Sequence, residues 1–153
     1  MDIYEKQFEM RSSISNYWHS KSADLHSSAR VLWKAMKDED NLKNSCYSTY
    51  KMLMGMSLEA LIKAHCVAKK IDDEKVNTSH RLTELSGLAG INLPKEDNKI
   101  LDILTEYVIW DGKYPAPKKS SQLKNHYQNV RAAEYDKGKL GTLDIYKQNG
   151  ALD

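Results

Sequence analysis

The sequence predicts an all-α fold, an up-and-down antiparallel bundle of four to five helices. Three observations carry this expectation. Apolar residues recur at helical spacing over long segments. No segment alternates apolar and polar residues over more than a few positions, so strands are not expected. The breaks between segments are short and polar or hold Gly and Pro, which suits antiparallel neighbours.

From Ile14 to Met36, apolar residues fall at 14, 17, 18, 25, 29, 32, 33 and 36, one stripe of a long amphipathic helix. The polar loop KDEDNLKNS follows, with Asn44 or Ser45 as the expected cap of the next helix. That helix, CYSTYKMLMGMSLEALIKAHCVAKK, has Tyr47, Tyr50, Leu53, Met54, Leu58, Leu61, Ile62 and Val67 spread around its circumference, which predicts the central, most buried element. Gly55 in its middle costs about 1 kcal/mol of helix propensity against Ala, and the expected compensation is the close approach of a neighbour. Thr78 or Ser79 is expected to cap a short helix, HRLTELSGLAG, stopping at Gly90. Pro94 at a first-turn position, with Glu96 and Asp97 behind it, opens another helix whose stripe runs through Ile100, Leu101, Leu104, Tyr107, Val108 and Trp110. Gly112, Pro115 and Pro117 break that pattern. Ser120 or Ser121 then caps a last helix facing Leu123, Tyr127 and Val130 inward and ending near Gly138.

The 153 residues suit a single domain, 1–153, with a core at about 12–137 and a C-terminal tail over 138–153. No run of eighteen apolar residues occurs and the first ten lack an apolar h-region, so neither a membrane span nor a secretory signal is expected. Cys46 and Cys66 lie many turns apart on one predicted helix, which excludes a mutual disulfide and points to reduced thiols and a cytoplasmic location. A net charge of +2 implies no nucleic-acid partner unless the charge is clustered. No Gly-rich phosphate loop or nucleophile elbow is present, and the histidines lack partners at ligand spacing, so no metal or cofactor is expected.

The break WDGKYPAPKK places Lys113, Tyr114, Lys118 and Lys119 together. With strict alternation of helix direction, the end of the second helix (Lys69, Lys70), the start of the third (His80, Arg81) and the end of the fourth (Lys113, Tyr114) share one pole. The start of the first helix, with Tyr17, Trp18 and His19, joins them there. Such a basic, aromatic surface suits phosphate contact and base stacking. A purely structural reading stays open beside it: cations are favoured at helix C-termini, and Trp110 and Tyr114 can plug the end of the core. Glu59 and Lys63, spaced i, i+4, form a helix-stabilising pair or line a polar pocket. Ile3, Tyr4 and Phe8, outside the stripe of the first predicted helix, are candidates for docking on a partner, a second copy included.

Three pieces, in order, give the chain a wider likeness: YWHSKSADLHSSARVLW; then YKMLMGMSLEALIKAHCVAKK with Gly55, Leu58, Glu59 and Lys63; then SHRLTEL followed by WDGKYP. From Tyr17 to Pro117 the chain resembles the HEPN family, the higher eukaryotes and prokaryotes nucleotide-binding helical bundles. The resemblance implies a commonly dimeric antiparallel bundle. It also implies RNA cleavage, RNA or nucleotide binding, or partnership with a nucleotidyltransferase. Family members that cut RNA carry an Arg and a His separated by four to six residues. Arg11, Arg30, Arg81 and Arg131 have no His at that spacing, and Lys119 before His126 lacks the guanidinium fork. Lys113-Tyr114-Pro115 likewise stands where many relatives have Arg-Tyr-Pro. The expectation is therefore a non-catalytic module binding RNA or a nucleotide phosphate, with Lys113, Tyr114, Arg81 and His80 in contact and Lys69, Lys70, Lys118 and Lys119 in support. The alternatives are a homodimeric structural or interaction protein, and a degenerate metal-independent endoribonuclease of a toxin-antitoxin or defence system using His126 or His80.

Overall fold

Among residues 1–135, which the computed structural model describes, every regular element is helical. In order these are α1 (Ile3–Ser13), α2 (Ser15–Asp38), α3 (Leu42–Ala68), α4 (Lys75–Thr78), α5 (Leu82–Leu88), α6 (Lys95–Glu106), a π-helical turn (Tyr107–Asp111) and α7 (Ser120–Tyr135). The all-α expectation holds. No helix of the described residues is long and apolar enough to cross a membrane. The predicted end of the last helix near Gly138, and the tail, lie outside the described residues.

α3 is the spine, as its all-round apolar character predicts. Its first half packs Tyr47 with Met36 of α2, Ile103 and Tyr107 of the α6 limb, and Val130 and Ala133 of α7. Its second half packs Ile62 and Cys66 with Val76, Leu82, Leu85, Ala89, Leu101 and Leu104. α2 and α3 form a hairpin whose crossing is set by small side chains. Ser22 Oγ donates to the Ser57 carbonyl at 2.8 Å and Ser57 Oγ donates to the Ser22 carbonyl at 2.9 Å, so two buried hydroxyls are satisfied while the backbones come close. On another face of α3, a Cβ at Gly55 would lie 2.6 Å from Val108 Cγ2 and 3.0 Å from the Leu104 carbonyl oxygen. Close approach is therefore the reason for this glycine.

Several local expectations need correction. α1 is a full helix the periodicity does not show, because its apolar residues make no single stripe. It is held by a capping box in which Asp2 accepts from Tyr4 and Glu5 N–H while Glu5 accepts from Asp2 N–H. α3 starts at Leu42 rather than behind Asn44 or Ser45, since a backbone turn from Glu39 and Asp40 leads into it. α5 is capped by a distant residue: Leu82 N–H donates to Thr105 Oγ1 at 3.1 Å, while Ser79 Oγ accepts from Arg81 N–H. Pro94 is the cap of α6 and not its first residue. Beyond Glu106 the limb widens into the π turn, closed by Gly112 N–H on the Tyr107 carbonyl at 3.0 Å. Gly112 is pressed on Met52, where any Cβ would overlap the methionine side chain.

Lys51, only 5% exposed, sits with its ammonium 5.5 Å from the Tyr47 ring centroid and 5.8 Å from that of Tyr50. Burial pulls its pKa down to about 8, so between that value and the ordinary 10.5 the unfolded chain binds more protons than the folded one. Stability contributed by this group therefore rises with pH across the window. Burial pushes the Tyr50 phenol and the Cys66 thiol up, and both oppose the gain at the alkaline end. In urea denaturation, wild type should gain about 2 kcal/mol more than Lys51→Met between pH 8 and 10. Gly55→Ala should lose about 2 kcal/mol despite the better helix propensity of Ala, because the overlap with Val108 and the Leu104 carbonyl outweighs it.

Candidate functional site

The π turn and the break after it deliver Lys113 to a cavity of about 490 Å³ between α2, α3 and the α6 limb. Each wall follows from spacing along its element. α2 supplies Trp18, Lys21 and Leu25, at i, i+3 and i+7. α3 supplies Met52, Met56, Glu59 and Lys63, one continuous face. The π turn adds Val108 and Ile109, and the connection between α4 and α5 adds His80. The Trp18 indole is oriented by its Nε1–H donating to the Ser12 carbonyl at 3.0 Å, so the last turn of α1 sets that wall.

The polar centre is built on one carboxylate oxygen. Glu59 Oε1 accepts from Lys63 Nζ at 2.9 Å and lies 3.0 Å from His80 Nδ1. The Lys63 side chain is 5% exposed, that of Glu59 13% and that of His80 60%, so a buried ion pair carries a solvent-facing imidazole. With Nδ1–H donating to Glu59, the imidazole is held in a fixed orientation. Lys21 and Lys113 line the same cavity, together with the apolar surfaces of Trp18, Leu25, Met52, Met56, Val108 and Ile109. Cations beside an apolar, indole-bearing wall have the chemistry to suit a flat apolar body with an anionic group at its edge.

The predicted residues are therefore partly united. His80 and Lys113 meet across the cavity, and the Glu59–Lys63 pair forms its polar pocket rather than an isolated surface bridge. Arg81 is exposed beside His80, and Tyr114 is 59% exposed beside Lys113, with its N–H on the Trp110 carbonyl. Lys118 and Lys119 are exposed ahead of α7. Lys69 and Lys70 do not join them. Met52 abuts Gly112 at the Lys113 end, and Lys69 is 17 residues further along α3, about 25 Å at the helical rise. Alternation of direction fails because residues 70–81 double back along α3 before α5 begins: His80 reaches Glu59, whereas α5 ends where Lys69 Nζ donates to the Ala89 carbonyl at 3.4 Å. Lys70 is itself a terminating residue, in the left-handed region at φ 52° with Ile71 N–H on the Cys66 carbonyl at 3.0 Å. Of the first residues of α2, Trp18 lines the cavity, His19 lines a separate apolar groove and Tyr17 is exposed.

His126 has another role. It is 2% exposed, its Nε2 lies 2.8 Å from Asp111 Oδ2, and its ring packs edge-on to Tyr107 and Trp110 at centroid distances of 5.1 and 5.4 Å. It ties α7 to the π turn. Periodicity could not reveal this pair, because the two residues meet only once the helix has widened. Among the described residues, no group of three His, Cys, Asp or Glu side chains is placed to hold a metal ion.

Glu59→Gln leaves the Lys63 ammonium buried without its counter-charge, and should cost about 3 kcal/mol in urea denaturation. Replacing both partners, Glu59→Leu with Lys63→Met, should recover most of that loss. No family model, curated protein or solved structure matches the chain, so the reading of the cavity rests on its own residues.

Proposed function

We propose that this protein is a non-catalytic HEPN-like module that binds a nucleotide phosphate or an RNA segment in the cavity between α2, α3 and the π turn. The observation that carries the reading is the meeting of His80 and Lys113 with Lys21 over the Trp18 wall, in one cavity with a buried Glu59–Lys63 pair at its centre. Lys113, Lys21 and His80 contact phosphate oxygens, and the indole and methionine surfaces take the base. Arg81, Tyr114, Lys118 and Lys119 extend the contact along a longer strand outside the cavity. Lys69 and Lys70, far along α3, fall outside this reading.

The non-catalytic assignment rests on the residues at hand. The Arg and His spacing of the cutting members of the family is lacking, and His126 is enclosed by aromatic rings with Nε2 against Asp111. The HEPN resemblance adds a nucleotidyltransferase as the partner class such a module serves.

The test is isothermal titration with adenosine mononucleotides and with a short single-stranded RNA at low and moderate salt. Wild type should bind with an affinity that falls as salt rises. Lys113→Ala and His80→Ala should each weaken binding by about tenfold, the loss of one charge-assisted hydrogen bond. Lys70→Ala should leave it unchanged. Binding that ignores salt, or that responds to Lys70 as much as to Lys113, rejects the proposal.

A further inference from the structure

One nitrogen of His80 is committed to the protein. Its Nδ1 lies 3.0 Å from Glu59 Oε1, and the same oxygen accepts from Lys63 Nζ at 2.9 Å. A carboxylate oxygen set between an ammonium and an imidazole can only accept, so Nδ1 carries the hydrogen of that bond. α3 thereby chooses the tautomer. In the neutral ring the other nitrogen, Nε2, is left with a lone pair and no hydrogen. The His80 side chain is 60% exposed, and no group among the described residues bonds Nε2.

A phosphate oxygen is itself an acceptor. It is repelled by the lone pair of a neutral Nε2 and takes a charge-assisted hydrogen bond from the Nε2–H of an imidazolium. Protonation also changes the charge of the cavity. The charged groups around His80 are Glu59 and Lys63 of α3, Lys21 of α2, Lys113 after the π turn and Arg81 next to it in the chain. Glu59 and Lys63 offset one another, and Glu84 is engaged by Lys75 Nζ at 2.8 Å and Ser79 Oγ at 2.7 Å. Imidazole is the one side chain of this set that by type gains or loses its charge near neutrality.

We propose that phosphate binding in this cavity is coupled to proton uptake: His80 joins the ligand only as the imidazolium, with Nδ1–H on Glu59 and Nε2–H on a phosphate oxygen. This coupling rests on the phosphate reading of the cavity and supplies its regulation, since the site holds its anion on the acidic side of neutrality and releases it as pH rises. His80 Nε2 takes a proton from solvent as the anion enters and returns it when the anion leaves. The coupling is reciprocal: bound phosphate strengthens the hold of His80 on the proton by the factor by which the proton strengthens the hold on phosphate. With one charge-assisted hydrogen bond at stake, that factor is about tenfold.

Isothermal titration of the full chain with a short oligouridylate bearing hydroxyl ends tests it. Neither its phosphodiesters nor its bases titrate near neutrality, so any proton taken up goes to the protein. Compared in two buffers of different ionisation enthalpy, wild type should take up a proton on binding, peaking at about half a proton per site for a tenfold coupling. Its affinity should fall about tenfold from about pH 5.5 to about pH 8.5. Lys113→Ala should weaken binding and keep the uptake. His80→Gln should abolish the uptake and flatten the pH dependence, with the helical circular dichroism of wild type, because His80 is exposed. In wild type, the NMR titration midpoint of the His80 imidazole should move up by about one pH unit when the RNA is bound. Three results overturn the coupling and leave the phosphate reading standing: binding without proton uptake at every pH; uptake that survives His80→Gln; or a His80 midpoint unmoved by RNA. Absence of binding at every pH removes both.

Discussion

The architecture depends on how closely the α6 limb lies against α3. Gly55 removes the only atom that would separate α3 from Val108 and the Leu104 carbonyl, and Gly112 does the same against Met52 four residues later on the limb. Between these two contacts the limb passes from α-helix to π-helix. The crossing places Val108 and Ile109 beside Met52 and Met56, which makes the lower wall of the cavity. The same crossing brings Tyr107 under Tyr47 and His126, so the aromatic cluster and the cavity share one cause. The serine pair on α2 and α3 is its counterpart on another face: small side chains bring backbones together where large ones would hold them apart.

The polar centre follows from this packing. Lys63 is buried by the close helices around it, and its ammonium is tolerated because Glu59 lies one turn back on the same element. Its neighbour across the cavity is His80, placed there by a short doubled-back segment that owes its position to Val76 and Leu82 in the core. The cations at the mouth, Lys21 and Lys113, come from elements that bury their other faces elsewhere. Packing decides where each charge is delivered.

Much of this was legible in the sequence. The α2 stripe, the spinal role of α3, the meaning of Gly55 and the acidic start of α6 all follow from patterns with one dominant physical cause. The Glu59–Lys63 pocket and the Lys113 break were legible as separate features. The meeting of Lys113 with His80 was expected from alternating helix directions, but that the Glu59–Lys63 pair joins them in one cavity was not, because it depends on α4, a helix of only four residues in a segment that doubles back along α3. That reversal also removes Lys69 and Lys70 from the group. α1 escaped notice because its capping box is polar and its apolar residues form no stripe, and the π turn because its sequence YVIWD has ordinary helical periodicity.

The π turn carries one more implication. Each added residue in a helix rotates everything beyond it by about 100°. A regular helix through Tyr107–Asp111 would aim Lys113 at a different quadrant and separate Asp111 from His126. A single codon gained or lost in this stretch therefore decides both whether Lys113 lines the cavity and whether α7 is tied to the limb through Asp111 and His126.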